Sequence, residues 1–169
     1  MNLSEKEKKE LQEEYKKFFI NIRSLVLSTI DKTGQPQSSY SPFVTDEQKN
    51  FYIFVSFLAY HTNNLLNFRK AGVMLIESEE KTDNIFSRKR IIFECEVEKV
   101  SRNEEKWEKI MKKFDDSFGQ IMSTLRMLSD FQLIRLRPIS GRFIKGFGSA
   151  FEISGREMDQ LIHLNPQKK

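Results

Sequence analysis

Cysteine is nearly absent from this chain: Cys95 is the one thiol in 169 residues. A lone cysteine cannot close an intrachain disulfide, so a reducing compartment suits the sequence. Histidine is scarce as well, with only His61 and His163. Together with Cys95 they show no ligand spacing, which excludes a structural zinc site. No apolar run approaches the ~20 residues that cross a bilayer. The charged stretch Met1–Glu14 lacks the apolar core of a secretion signal. A cytoplasmic protein without a membrane segment is expected. The four prolines and seven glycines are scattered, and there is no linker, repeat or low-complexity tract. At this length that predicts one domain over residues 1–169.

Nucleophile chemistry lacks its motifs too. No Gly-x-Ser-x-Gly elbow occurs, and Cys95 lies mid-strand, where an inward thiol is inert. Gly146-Phe147-Gly148 lacks the third glycine of a dinucleotide loop and sits between strand residues. Such glycines mark a bulge or a close approach. Charge of one sign is never concentrated. The net charge of +4 comes from Lys and Arg interleaved with Glu and Asp, as in Glu5–Lys17 and Glu104–Asp116. These are solvated helix faces, not a nucleic-acid stripe.

What the chain has is phenylalanine, fifteen of them, a load that favours strands, cores and interfaces. Ser4-Glu5-Lys6-Glu7 has the form of a capping box, and Leu11, Tyr15, Phe18 and Ile22 recur at helical spacing behind it. An N-terminal helix is expected within residues 1–22. Leu25–Ile30 and Gln37–Val44 read as a hairpin around the Asp31-Lys32-Thr33-Gly34 turn, and Phe51–Phe57 as a third strand. A short helix over Thr62–Phe68 and a strand over Val73–Glu77 follow, then a polar loop to about Ser87. Arg90–Val100 alternates as a half-buried strand should. Trp107 to Leu125 keeps helical spacing, with a break at Gly119. Phe131–Arg137 and Arg142–Ile153 read as two closing strands, and residues 154–169 as a C-terminal helix or tail with helical turns over 156–163. Tight turns between consecutive strands imply antiparallel pairing, with enough strands to close a small barrel.

Two segments carry candidate chemistry. His61-Thr62-Asn63-Asn64, just beyond a strand, suits either capping of a short helix or anion binding at its first amides. His163, in Leu161-Ile162-His163-Leu164, reads either as a surface histidine or as an axial iron ligand held through its second nitrogen.

Four stretches together resemble the HugZ-type haem-degrading branch of the pyridoxamine-phosphate-oxidase-like superfamily. They are Gly34-Gln35-Pro36-Gln37-Ser38-Ser39-Tyr40-Ser41-Pro42-Phe43-Val44, Leu58-Ala59-Tyr60-His61-Thr62-Asn63-Asn64-Leu65, Arg90–Val100, and Asp130-Phe131 through Pro138 continuing in Gly141-Arg142-Phe143-Ile144-Lys145-Gly146-Phe147-Gly148-Ser149-Ala150-Phe151. The last is the most specific. The resemblance implies a mainly β, α+β protein: a six-stranded antiparallel split β-barrel with flanking helices. It also implies a homodimer with its ligand site at the interface.

Carried over from flavin-binding members, the FMN positions are Ser39, Tyr40, Ser41, Ser56, His61, Thr62 and Asn63, with Arg90 from the central strand. Asn63 stands where relatives commonly have a basic residue, and Cys95 where they tend to have glycine. Loss of a cation weakens a phosphate site, because charge-assisted hydrogen bonds are the stronger ones. From the haem-degrading branch, His163 is the implied iron ligand and Asp130, from the partner subunit, its implied support. Arg142 and Lys145 are candidates to face haem propionates. The expected function is haem-degrading oxygenase activity with an external reductant. An FMN-dependent oxidoreductase and a non-catalytic haem or flavin carrier are the alternatives.

Overall fold

The computed structural model describes residues 4–164, so the expected tail beyond residue 164 lies outside the described residues. Helix α1 (Glu5–Ile20) starts at the capping box read from the sequence. Ser4 Oγ accepts from the Glu7 amide at 3.3 Å while the Glu7 carboxylate accepts from the Ser4 amide at 2.8 Å. Its buried stripe is Leu11, Tyr15 and Phe19, with Phe18 and Ile22 only partly covered.

Strands β1 (Ser24–Ile30) and β2 (Pro36–Pro42) form the expected hairpin. The Asp31 carboxylate holds its turn by accepting the Thr33 and Gln35 amides, and Gly34 takes the positive φ of 82°. A two-residue β3 (Val44–Thr45) pairs with β4 (Phe51–Ser56). There Asp46 accepts from the Gln48 and Asn50 amides and from the Tyr52 hydroxyl. Next come α2 (Tyr60–Phe68), β5 (Lys70–Ile76) and β6 (Arg90–Val100), then α3 (Glu105–Phe118) and α4 (Ile121–Met127), separated at Gly119 with φ +69°.

The two expected closing strands are instead one long strand and a hairpin. Strand β7 (Phe131–Gly146) runs unbroken, and β8 (Ser149–Ser154) returns along its second half. Gly146-Phe147-Gly148 forms the tip of this hairpin, beside a register shift between Ile144 and Gly146. The helical turns expected over 156–163 are a further correction. Gly155 (φ 85°) and Met158 (φ 48°) reverse the chain, and β9 (Gln160–His163) then pairs along β8. A strand wins there because β8 would otherwise present an unpaired row of backbone donors and acceptors.

The strand order is β2-β1-β5-β6-β7-β4-β3, all antiparallel, with β8 and β9 extending from β7. Six long strands curl as a split barrel that is not closed, and β3, β8 and β9 add to it. The inward residues of β6 (Ile91, Phe93, Cys95, Val97) meet those of β1 and β5 and the stripe of α1 in the main core. Gly141 of β7 lies against this core so closely that a Cβ there would sit 2.6 Å from a Phe93 ring carbon.

A second core lies on the outer face, where α3 and α4 cover Tyr52, Phe54 and Leu133 with Trp107, Ile110, Met111, Phe114 and Met122. That is why β4 is buried on both faces and shows no alternation. No helix among the described residues is long and apolar enough to cross a membrane.

Candidate functional site

The start of α2 is built from the end of β4. Its N-cap is Ala59, with no side-chain cap, so the expected capping by the His61–Asn64 group does not occur. Thr62 is fully buried and donates its hydroxyl to the Ser56 carbonyl at 2.6 Å, tying the helix to the strand. Asn63 Nδ2 lies 3.4 Å from the Phe57 carbonyl. Asn64, the last of the group, neither caps the helix nor faces the cleft: it is buried and donates to Thr29 Oγ1 at 3.1 Å and Gln37 Oε1 at 3.0 Å, locking α2 to the β1–β2 hairpin.

Against this frame sits a cleft of about 330 Å³ lined by Gln37, Ser38, Ser39, Tyr60 and His61. Two buried polar atoms face the region with no hydrogen-bond partner: Ser39 Oγ and His61 Nε2. Buried atoms of this kind lose their water without compensation unless a ligand or ordered water supplies it. Burial also lowers the pKa of His61, so its imidazole is neutral near pH 7. The pair suits a ligand oxygen or a water. The cleft's lining includes no Lys or Arg. The donor set is therefore a poor match for a phosphate and leaves the FMN-phosphate assignment weaker.

The other expected positions fall in separate places. Ser41 is buried and donates to the Pro42 carbonyl at 2.9 Å, so it is consumed structurally. Ser56 donates to Asp130 Oδ2 and accepts from the Leu58 amide at 3.0 Å, joining the end of β4 to the start of β7. Lys145 pairs with Glu14 of α1 at 2.7 Å, and Lys89 holds the same carboxylate. Burial alone would raise the Glu14 pKa, but the two ammonium groups outweigh it and lower it. Lys145 thus anchors α1 through Glu14.

Arg90 and Arg142 lie on the outer face of β6 and β7. Arg90 donates to the Arg88 carbonyl at 2.8 Å, and Arg142 stays exposed. Register aligns one outer row across seven strands: Tyr40, Val26, Met74, Ile92, Arg142, Glu152 and, on β9, Ile162. Tyr40 is 64% exposed and Ile92 37%.

His163 lies on the opposite face. It pairs with Phe151 in register, packs edge-on against that ring at 5.2 Å, and has Nε2 3.3 Å from the Gly148 carbonyl. Asp130 precedes β7, whereas His163 is level with Phe143 through Phe151. About 40 Å of extended chain separates these levels, so one protomer does not bring Asp130 and His163 together. Cys95 is buried in the main core, and burial pushes its thiol pKa up. Among the described residues no three His, Cys, Asp or Glu side chains gather as a metal site.

An antiparallel split barrel whose helix start and second strand share a polar cleft is the arrangement of one family, and the chain belongs to it: residues 11–145 match pyridoxamine 5'-phosphate oxidase. Within that family it is similar to haem oxygenase HutZ of Vibrio cholerae, 36% identical over 154 residues, which cover 91% of this chain and 87% of that protein. The crystal structure of HutZ, described as a haem storage protein, superposes with a TM-score of 0.72 at 34% identity over 76% of this chain and 89% of the other. Campylobacter jejuni ChuZ superposes with a TM-score of 0.84 at 27% identity, covering all of this chain and 67% of its own.

Proposed function

We propose that this chain is a haem-binding, haem-degrading oxygenase acting as a homodimer in the cytoplasm. The observation that carries this reading is the match over 91% of the chain to a haem oxygenase. His163 itself sits in a folded strand. When bound, haem supplies the oxygen chemistry, with electrons from an external reductant.

The chain's own residues hold and orient. His163 would hold the haem iron through its imidazole. A carbonyl acceptor on one nitrogen, here that of Gly148, is how proteins fix the ring and tautomer of an imidazole that binds iron. Asp130 of a second protomer would serve as an alternative acceptor for that N–H, its own Oδ2 already fixed by Ser56. The exposed outer row through Tyr40 and Ile92 supports burial against a second copy, since such apolar surface is costly to leave wet. Arg142, in the same row, would meet an anionic ligand group at that interface.

Hemin titration tests the reading. A saturating Soret band that is lost or shifted in His163→Ala is the expected result, and an unchanged spectrum would remove His163 as the ligand. Because HutZ is described both as an oxygenase and as a storage protein, a carrier role is the second reading. Loss of the Soret band under reductant and oxygen separates turnover from storage. Tight FMN binding without a specific haem spectrum would instead favour the flavin enzyme.

A further inference from the structure

The strand that carries His163 is held by groups far from it in sequence. The turn between β8 and β9 presents three successive backbone carbonyls, those of Glu157, Met158 and Asp159, and side chains from two other elements capture all three. Gln12 of α1 donates to the Asp159 carbonyl. Tyr15, fully buried one helical turn further on, donates its hydroxyl to the Met158 carbonyl at 2.8 Å. Lys49, in the β3–β4 turn, donates to the Glu157 carbonyl and lies 3.5 Å from that of Met158.

The site is built rather than incidental. Lys49 and Met158 both adopt positive φ, 58° and 48°, a conformation side chains other than Asn and Gly take at a cost. Met158 is also buried in the main core. Helix α1 is in turn pinned by Lys89 and Lys145 on Glu14, two residues beyond Gln12 and on another side of the helix. β9 is short and borders only β8, so its pairing alone is a weak constraint.

We propose that Gln12, Tyr15 and Lys49 form a clamp that positions His163 for its ligand, coupling α1 to the iron site. The clamp touches neither haem nor substrate. It fixes where β9 begins, three residues before the imidazole. The proposal rests on the haem reading, because it assumes that His163 is the ligand.

The test compares Tyr15→Phe/Lys49→Met with His163→Ala and Lys49→Arg in the full chain. Far-UV circular dichroism and the fluorescence of Trp107, which lies in the other core, report whether the barrel is intact. Amide exchange over residues 158–164 reports β9 without any ligand. With the barrel intact, the double variant is expected to lose protection there. It is also expected to weaken hemin binding about tenfold, with an altered axial-ligand signature by resonance Raman, as loss of outer partners does at metal sites. Lys49→Arg keeps a donor and should retain both.

A double variant that binds hemin with the wild-type signature, while His163→Ala does not, overturns the clamp and leaves the haem reading standing. Wild-type binding by His163→Ala overturns the ligand assignment itself, and the clamp's purpose with it. A double variant with a collapsed barrel would also overturn the proposal, since the contacts would then serve the whole fold.

Discussion

Over β4 and the first half of β7, the outer face of the sheet is roofed by α3 and α4, which bury Trp107, Ile110, Met111 and Phe114 against Tyr52, Phe54 and Leu133. Over β1, β5, the first half of β6 and the second half of β7, the same face stays open and carries Val26, Met74, Ile92 and Arg142. The two regions share strands, twist and inner core. They differ in what completes them. The roofed half is finished within the chain, with Trp107 between the Arg102 and Arg126 guanidinium groups at 5.2 and 5.1 Å. The open half is apolar enough to call for a second surface, and the proposed dimer supplies it.

The largest effect should come from opening the roof. Phe114→Ala removes a ring that packs on Phe54 and Phe118 and is expected to cost about 3–5 kcal/mol, read as a lower denaturation midpoint. On the inner side shared by both halves, Gly141→Ala forces a Cβ into the Phe93 ring and the Ile92 carbonyl. That should cost about 1–3 kcal/mol by the same measurement.

Ile92→Glu strikes the open half. It should alter monomer stability by no more than about 0.5 kcal/mol, yet shift sedimentation from dimer to monomer. A dimer that survives it would place the interface elsewhere.

The smallest effect is a slope. His61 has its pKa lowered by burial, so the unfolded chain takes up a proton first as pH falls below about 6.5. Stability is therefore retained above that pH and drains away as pH drops toward the folded value. His61→Asn should flatten that part of the stability profile, measured by denaturant titration between pH 7 and 5.

The sequence carried some of this plainly. The capping box at Ser4, the alternation of β6 and the break at Gly119 are local, and each appears where periodicity and turn chemistry put it. The strand at residues 160–163 was hidden because four residues carry too little pattern, and their state is set by β8 beside them. β7 read as two strands because Pro138 to Gly141 looks like a break, yet β6 pairs through it around the register shift at Glu94 and Cys95.

At the site, His61 was singled out in the helix-start segment and Ser39 came from the family resemblance, and nothing in their spacing foretold that both would be left with unpartnered buried atoms. Thr62, Ser41 and Lys145 are spent on the fold. A residue type suited to a ligand is equally suited to a carbonyl or carboxylate nearby, and only tertiary placement decides between them. Tyr15 was legible only as part of the apolar stripe of α1 and Lys49 belonged to no motif, and their carbonyl partners more than a hundred residues away could not be inferred.

The unbroken β7 bears on how the chain acquires its shape. It is the common seam of three strands: β6 along most of its length, β4 on its first half and β8 on its second. Neither Phe51 opposite Leu136 nor Phe151 opposite Phe143 can pair until residues late in the chain have emerged and aligned. Much of the sheet thus waits on contacts between distant residues, the kind that slow the crossing of the folding barrier toward milliseconds or seconds. During synthesis the first strands leave the ribosome with no seam to close on. Until β7 arrives, their phenylalanines are the surface that a chaperone or another nascent chain would meet.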